Sequence, residues 1–184
     1  MDPISDHPDV VIFPPVIAAS ALVVILLLHW LWPLDIFLRP VTFALGATLC
    51  ALGIGCAAWG QITLVRAGTN VSPLKPTTAI VTGGSFRFTR NPLYVGGTAL
   101  LFGVSLLIGT WWGLIVLVPA TLMLHYGVVL REERYLEQKF GESYVKFKSS
   151  VRRYLWQIAH LTSRCSEPGH RAAAAIYASC GPGR

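Results

Sequence analysis

The ionisable side chains that could take part in a reaction lie where an apolar segment of the chain meets charged segments. Arg90 precedes an apolar segment that begins at Leu93, and the pair Glu132 and Glu133 follows its end. Charged groups at the edge of a bilayer core are costly unless they have partners or a function. A helical hairpin over residues 93–130 would return the two carboxylates to the side of Arg90. The pattern therefore predicts a reactive centre at a membrane edge, open to a water-soluble donor on one side and a lipid-like acceptor on the other.

Each of these residues also has a simpler interpretation. Arg90 and Arg131 suit ordinary anchoring at the lipid headgroups, and Glu132 suits pairing with a neighbouring arginine. His125 lies inside the apolar segment, where an ionisable residue is a functional candidate, but a hydrogen bond within the helix bundle is the favoured interpretation. The combination of Arg90 with the two glutamates is more informative than any single member.

Other kinds of site lack their sequence motifs. The chain shows no Ser-His-Asp arrangement, no Walker loop and no glycine-rich strand–turn–helix for a dinucleotide. Its 4 cysteines include no Cys-x-x-Cys, and no histidine stands at metal-ligand spacing from them. We therefore predict no metal site.

Composition indicates an integral membrane protein. Hydrophobic residues make up 53% of the 184 residues, charged residues only 13%, and the mean hydropathy is +0.56. Soluble domains carry about 25% charged residues. The net charge of +6 does not predict a nucleic-acid partner, because its distribution matches membrane orientation instead.

The predicted fold is all-α, with about four transmembrane helices followed by a pair of amphipathic helices at the membrane interface. The predicted spans cover residues 12–32, 41–65, 93–109 and 112–130, and the amphipathic pair covers 131–155 with a break at Gly141. We expect a single membrane-embedded domain over residues 1–160 and a disordered tail over 161–184.

The segments between the spans carry further signals. The second span is rich in small residues, including Gly46, Gly53 and Gly60, which favour close helix packing in lipid. The polar loop 66–91 is expected to be ordered coil, with room for a short hairpin before Gly83. Asn91 and Pro92 predict the N-cap and first position of the third helix.

The cations predict the orientation. Of the 15 Lys and Arg residues, all except Arg39 lie in residues 66–90 or 131–184, so they share one side of the membrane. The positive-inside rule places that side in the cytoplasm. With an even number of spans, both termini and the predicted site are cytoplasmic; in a bacterium the membrane would be the inner one. Tryptophan pairs mark the two tight turns of the opposite side.

Two stretches of the chain resemble a known family. Residues 81–96, VTGGSFRFTRNPLYVG, look like the signature of the isoprenylcysteine carboxyl methyltransferase family of integral membrane enzymes. Glu132-Glu133-x-x-Leu136, Phe140-Gly141-x-x-Tyr144 and Val151-Arg152-Arg153 resemble its downstream motifs, and Pro73-x-Lys75-Pro76 resembles its bacterial branch. The resemblance covers roughly residues 65–155. The same superfamily includes phospholipid N-methyltransferases.

The resemblance implies S-adenosylmethionine as methyl donor, bound in a cytosol-facing pocket. The positions that match the family's donor-binding motif are Gly84, Phe86, Arg90, Asn91, Pro92, Tyr94, Gly96, Glu132 and Glu133. Arg90, Glu132 and Glu133 are also the candidates for the catalytic role. The eukaryotic pattern has histidine where this chain has Asn91, so a histidine base at that position is excluded, because an amide does not titrate near neutral pH.

Three functions remain open at this point. The first is carboxyl (O-) methylation of an isoprenylated or other lipidic acceptor, which needs no strong base because a carboxylate is already ionised. The second is N-methylation of a phospholipid amine, which needs a base to take up a proton. The third is a non-catalytic membrane subunit that keeps the fold. The expected partners are a lipidic or prenylated acceptor and membrane lipids, with no nucleic acid and no metal.

Overall fold

A computed structural model describes residues 12–72 and 76–154 of the chain as a bundle of helices. The helices are α1 (Pro14–Leu31), α2 (Arg39–Arg66), α3 (Pro92–Ile108), α4 (Trp112–Leu124), α5 (Leu130–Phe140) and α6 (Glu142–Ser150). The described residues include no named strand, only an isolated bridge between Asp35 and Thr110. The predicted all-α fold is confirmed. The predicted tail, 161–184, lies outside the described residues.

Three helices meet the length and composition of a membrane span: α1, α2 and the continuous helix Trp112–Phe140. The fourth predicted span, α3, is apolar but has only 17 residues. Large apolar side chains cover the outside of α1 and α2, among them Val24 and Leu52, which are 41% and 63% exposed. Such an outer surface is what lipid-facing helices present. The count of four spans remains a prediction.

Glycines spaced seven residues apart join α2 to α3. A Cβ added at Gly53 would lie 2.7 Å from the carbonyl oxygen of Gly96, and one at Gly46 would lie 2.8 Å from that of Gly103. These distances are too short for any side chain, so only glycine allows the two backbones to approach this closely. This contact fixes the start of α3 against the bundle, and the predicted packing role of the small residues is confirmed for Gly46 and Gly53.

The two tryptophan turns meet at one end of the bundle, as predicted. The indole N–H of Trp112 donates to the carbonyl of Trp32 over 2.7 Å, and the backbone N–H of Ile36 donates to the carbonyl of Gly109 over 2.9 Å. Arg39 donates from Nη1 to the carbonyl of Ile108 over 2.7 Å. This end, called the tryptophan end below, is closed by its own hydrogen bonds.

The helix that begins at Trp112 does not stop at the predicted end of the fourth span. It passes through a π-helical segment, His125–Val129, and continues as α5 to Phe140. Gly141, with a φ of +54°, then ends it and α6 follows. The break at Gly141 is confirmed. Because a π turn uses i→i+5 hydrogen bonds, the regular 100° per residue does not relate residues before it to those after it.

The loop before α3 packs under α6. Its described part forms a 3-10 turn, Gly84–Arg87, and not the short hairpin for which the sequence left room. Phe86 from this turn joins Tyr144 and Phe147 of α6 in a buried cluster. Aromatic burial at this point, and not strand pairing, therefore fixes the loop beside the start of α3.

Candidate functional site

The start of α3 is joined to the chain that follows α6. The backbone N–H of Arg90 donates to the carbonyl of Arg152 over 2.8 Å. Two side chains then donate to the carbonyl of Arg153, Thr89 from its hydroxyl over 2.9 Å and Asn91 from its amide over 3.3 Å. Asn91 occupies the N-cap position, as predicted, but its side chain makes no capping hydrogen bond. These contacts hold Arg90 at the end of the bundle opposite the tryptophan end, called the motif end below.

Glu133 lies between two arginines. Arg153 binds it in bidentate fashion, with Nε 2.9 Å from Oε1 and Nη2 2.7 Å from Oε2. On its other side, Nη1 of Arg90 lies 3.2 Å from Oε1. Glu133 is only 5% exposed, so this pairing provides the counter-charge for a buried carboxylate. The hydrogen bonds to Glu133 raise the pKa of Arg153 above its ordinary value.

Glu132 has a different neighbour from Glu133. Its Oε2 accepts a hydrogen bond from the Tyr94 hydroxyl over 2.9 Å. The two adjacent glutamates therefore point to different partners, one toward α3 and the other toward the two arginines. The hairpin predicted from the sequence does bring the second motif beside the first.

Arg90 has more hydrogen-bond donors than the described residues accept. Its side chain is 9% exposed. In the described part of the chain Nε has no hydrogen-bond partner, and the 3.2 Å contact of Nη1 with Glu133 is an ion pair without hydrogen-bond geometry. Donors left unsatisfied in a buried guanidinium are costly. An anion that entered this place would satisfy them.

A polar cavity of about 90 Å³ lies beside Arg90. Seven of the nine residues singled out in the sequence line it: Phe86, Arg90, Asn91, Pro92, Tyr94, Glu132 and Glu133. Tyr144 and Phe147 of α6 complete its wall. Burial and the nearby Glu133 carboxylate raise the pKa of Tyr144, so its phenol remains protonated at neutral pH.

The other two predicted residues, Gly84 and Gly96, are not in that wall. A Cβ at Gly84 would meet the side chain of Thr63 at 2.8 Å, and the residue has a φ of +59°. A Cβ at Gly96 would lie 2.6 Å from the carbonyl oxygen of Gly53. The structure therefore gives both glycines a packing role, which shapes the loop and positions α3.

An apolar cavity of about 410 Å³ adjoins the polar one. It lies between the start of α1, the start of α3 and the end of α4, with Ile17, Leu101 and Leu117 among its lining residues. Tyr94 and Leu93 line both cavities, as do Val71 and Ser72 from the loop. A polar and an apolar compartment thus meet at Tyr94.

Sequence reasoning missed two parts of this site. Arg153 was named only within the Val151-Arg152-Arg153 stretch that carried the family resemblance, and it was given no role in the site. Tyr154 was not singled out, and its hydroxyl lies 2.9 Å from Nδ1 of His125. The favoured interpretation of His125 was a hydrogen bond within the helix bundle; the side chain does make a hydrogen bond, but to a residue beyond the end of α6. Among the residues that the structure describes, no three His, Cys, Asp or Glu side chains are grouped to hold a metal.

The fold and the site define a helical membrane protein with a charged cavity and an apolar cavity at one end. The model of the PEMT family, phospholipid methyltransferase, matches residues 41–143, which is more than half of the chain. The chain belongs to this methyltransferase family. The match includes Arg90, Tyr94 and both glutamates, and it ends before Arg153.

One relative gives an independent comparison. An uncharacterized protein of Haemophilus influenzae is 35% identical to this chain over 66 residues, which are 34% of this chain and all of the relative. Its description assigns no activity. No solved structure matches the chain.

Proposed function

We propose that the protein is an S-adenosylmethionine-dependent methyltransferase that methylates the carboxyl group of a lipidic, isoprenylcysteine-like acceptor. The observation that carries this proposal is the buried guanidinium of Arg90, whose Nε has no hydrogen-bond partner among the described residues and which lines a polar cavity. That cavity meets an apolar one at Tyr94. A donor with polar groups and an acceptor with an apolar chain need compartments of these two kinds.

The residues of the polar cavity fit the donor. S-adenosylmethionine supplies an electrophilic methyl group on a sulfonium, and it also carries a carboxylate, an amino group, ribose hydroxyls and an adenine. Arg90 can bind a carboxylate through two charge-assisted hydrogen bonds. Glu132 can accept hydrogen bonds from hydroxyl or amino groups, and the ring of Tyr94 offers a face to a cation or to adenine.

Glu133 and Arg153 contribute by holding the Arg90 guanidinium in position. The bidentate pair between them leaves the position of the Glu133 carboxylate little freedom, and that carboxylate lies against Nη1 of Arg90. The Arg90 guanidinium is therefore held before any ligand arrives. Preorganised groups of this kind favour a reaction that depends mainly on positioning.

The acceptor's apolar part would lie in the cavity between α1, α3 and α4. A carboxylate acceptor is already ionised at neutral pH, so transfer to it requires no proton acceptor. Arg90 can hold the carboxylate of either the donor or the acceptor. Carboxyl methylation therefore requires the fewest functional groups from the residues that line the two cavities.

N-methylation of a phospholipid amine is the second candidate, and two observations favour it. The family that the chain belongs to is described as phospholipid methyltransferase. An amine must also lose a proton, and the Glu132 carboxylate beside Tyr94 is a proton acceptor in the right compartment.

Methyl transfer from radiolabelled donor into a membrane lipid extract tests the proposal. We expect a labelled lipid whose label is released by mild base, as a methyl ester requires. A label that resists base and stays in the phospholipid fraction would favour the amine. If the purified protein neither binds the donor nor transfers label, the protein is a non-catalytic subunit instead.

We also propose that the motif end faces the cytoplasm. In a variant without the native cysteines, Ser149→Cys would report on the motif end and Phe37→Cys on the tryptophan end; both native residues are exposed. A membrane-impermeant maleimide should label Phe37→Cys in intact cells and Ser149→Cys only after permeabilisation. The reverse pattern would contradict this orientation.

A further inference from the structure

A second polar depression lies along α6, next to the polar cavity. This basic groove, of about 530 Å³, is lined by Thr82, Arg87, Ser143, Lys146, Phe147, Ser150 and Val151. It contains two cations and three hydroxyl groups, and none of its lining residues is acidic. Phe147 also lines the polar cavity, so the groove and the cavity share this buried ring.

The two cations of the groove lack a paired carboxylate in the part of the chain that the structure describes. Within residues 12–72 and 76–154, neither Arg87 nor Lys146 has a carboxylate within ion-pair distance, although Lys148 on the same helix is paired with Glu137. Both Arg87 and Lys146 are exposed. A guanidinium, an ammonium and hydroxyl groups that line one groove are the kinds of donors that bind the oxygens of a phosphate.

The position of the groove indicates that such a phosphate would belong to a lipid headgroup. Phe88, directly after Arg87, is 63% exposed, and its ring lies 5.9 Å from that of Trp59, which is 49% exposed. Trp59 lies about 10 Å before the end of α2, and exposed aromatic rings near a span end are typical of the membrane–water interface. The groove beside them therefore lies at the level of the lipid headgroups.

We propose that the basic groove binds the headgroup phosphate of an anionic phospholipid. Arg87 and Lys146 would bind the phosphate oxygens, and the Thr82 and Ser143 hydroxyls would complete the contact. A zwitterionic lipid has the same phosphate, but its ammonium group would meet the two cations, so the groove should prefer a lipid with net negative charge. The four proposed contact residues line neither of the two cavities, and the site does not depend on the methyltransferase proposal.

Lipid binding to the purified full-length protein in a neutral detergent tests this site. Phosphatidylglycerol and phosphatidylcholine with the same acyl chains would be titrated, and the bound lipids counted by native mass spectrometry. We expect wild type to retain phosphatidylglycerol at least about tenfold more tightly, as two cations near an anionic headgroup allow. Arg87→Ala with Lys146→Ala should remove that preference.

Two matched variants make the result specific. Arg66→Ala with Arg134→Ala removes the same charge from exposed positions outside the groove, and it should keep the preference. Arg87→Lys with Lys146→Arg keeps both charges in the groove and should also keep it, which separates lost binding from lost folding.

Three results would overturn the proposal. The first is a preference that survives in the alanine pair, and the second is an equal loss in the Arg66 and Arg134 variant. The third is displacement of the lipid by inorganic phosphate at the lipid's own concentration, which would make the groove a site for free anions.

Discussion

The two ends of the bundle each place an arginine at the end of a helix, and the two arginines behave differently. At the tryptophan end, Nη1 of Arg39 donates to the carbonyl of Ile108 over 2.7 Å. At the motif end, Nε of Arg90 has no hydrogen-bond partner among the described residues, and Nη1 makes only an ion-pair contact with Glu133. The Nη1 donor of Arg39 is used in a contact within the fold. Arg90 instead has a donor without a partner among the described residues, beside a cavity. Unsatisfied donors, more than residue type, therefore distinguish the candidate site.

Glu133→Gln should have the largest effect on this contrast. The substitution removes the carboxylate charge that lies between Arg90 and Arg153 and leaves two cations facing each other. Breaking a buried ion pair costs about 3–5 kcal/mol, and the 31% exposure of Arg153 favours the lower end. We expect a marked loss of thermal stability in detergent and of methyl transfer.

The matched control for that experiment is Glu137→Gln. Glu137 pairs with Lys148 where both side chains are about one-third exposed, and exposed pairs contribute at most about 1 kcal/mol. Glu133→Gln protein that melts like the Glu137→Gln control would show that the arginines do not depend on this carboxylate.

Glu132→Ala should weaken donor binding while the fold is kept. Glu132 contacts Tyr94 and lines the polar cavity, and it has no part in the pairing of Glu133 with the arginines. Loss of hydrogen bonds to a charged group costs about 1.5–3 kcal/mol, so donor affinity should fall about ten- to a hundredfold. Glu142→Ala, at an exposed position, is the control. Calorimetry with unchanged donor affinity would remove Glu132 from the donor site.

Arg90→Lys distinguishes an anchor from a carboxylate-binding group. Lysine keeps the charge and can reach the membrane interface, but it lacks the planar pair of donors. Loss of one charge-assisted hydrogen bond costs about 1.5–3 kcal/mol, and we expect kcat/KM to fall at least about tenfold. The protein should remain monodisperse on gel filtration. Turnover close to that of wild type would restore the anchor interpretation.

Much of this arrangement follows from local sequence. The lengths of the apolar segments predicted the helix positions closely: the second span was predicted at 41–65, and α2 is Arg39–Arg66. The proximity of Glu132 to Tyr94 followed from the predicted hairpin of two helices. The partners of Glu133 did not follow, because Arg153 is 20 residues away and reaches it only after the chain turns at Gly141. Contacts that depend on such a turn have no local signature.

The π-helical segment also had no signal in the sequence. Apolar residues on both sides of His125–Val129 fit a regular helix equally well, and the hydrogen-bond pattern depends on packing against neighbours. A regular helix would place His125 and Glu132, which are seven residues apart, on one face. The π-helical segment between them changes that relation. The contact of His125 with Tyr154 likewise joins residues far apart in the chain.

Arg39→Ala should have the smallest effect and should leave activity unchanged. A cation at the C-terminal end of a helix contributes about 0.3–1 kcal/mol, so we expect the melting temperature to fall by about 1–4 °C. Arg39→Lys keeps the charge and should recover part of that loss. Because Arg39 lies at the tryptophan end and its donor is already satisfied, kcat/KM should match that of wild type in both variants. If instead Arg39→Ala reduced turnover as much as Arg90→Lys, satisfied and unsatisfied arginines would be equivalent, and the contrast between the two ends could not identify the site.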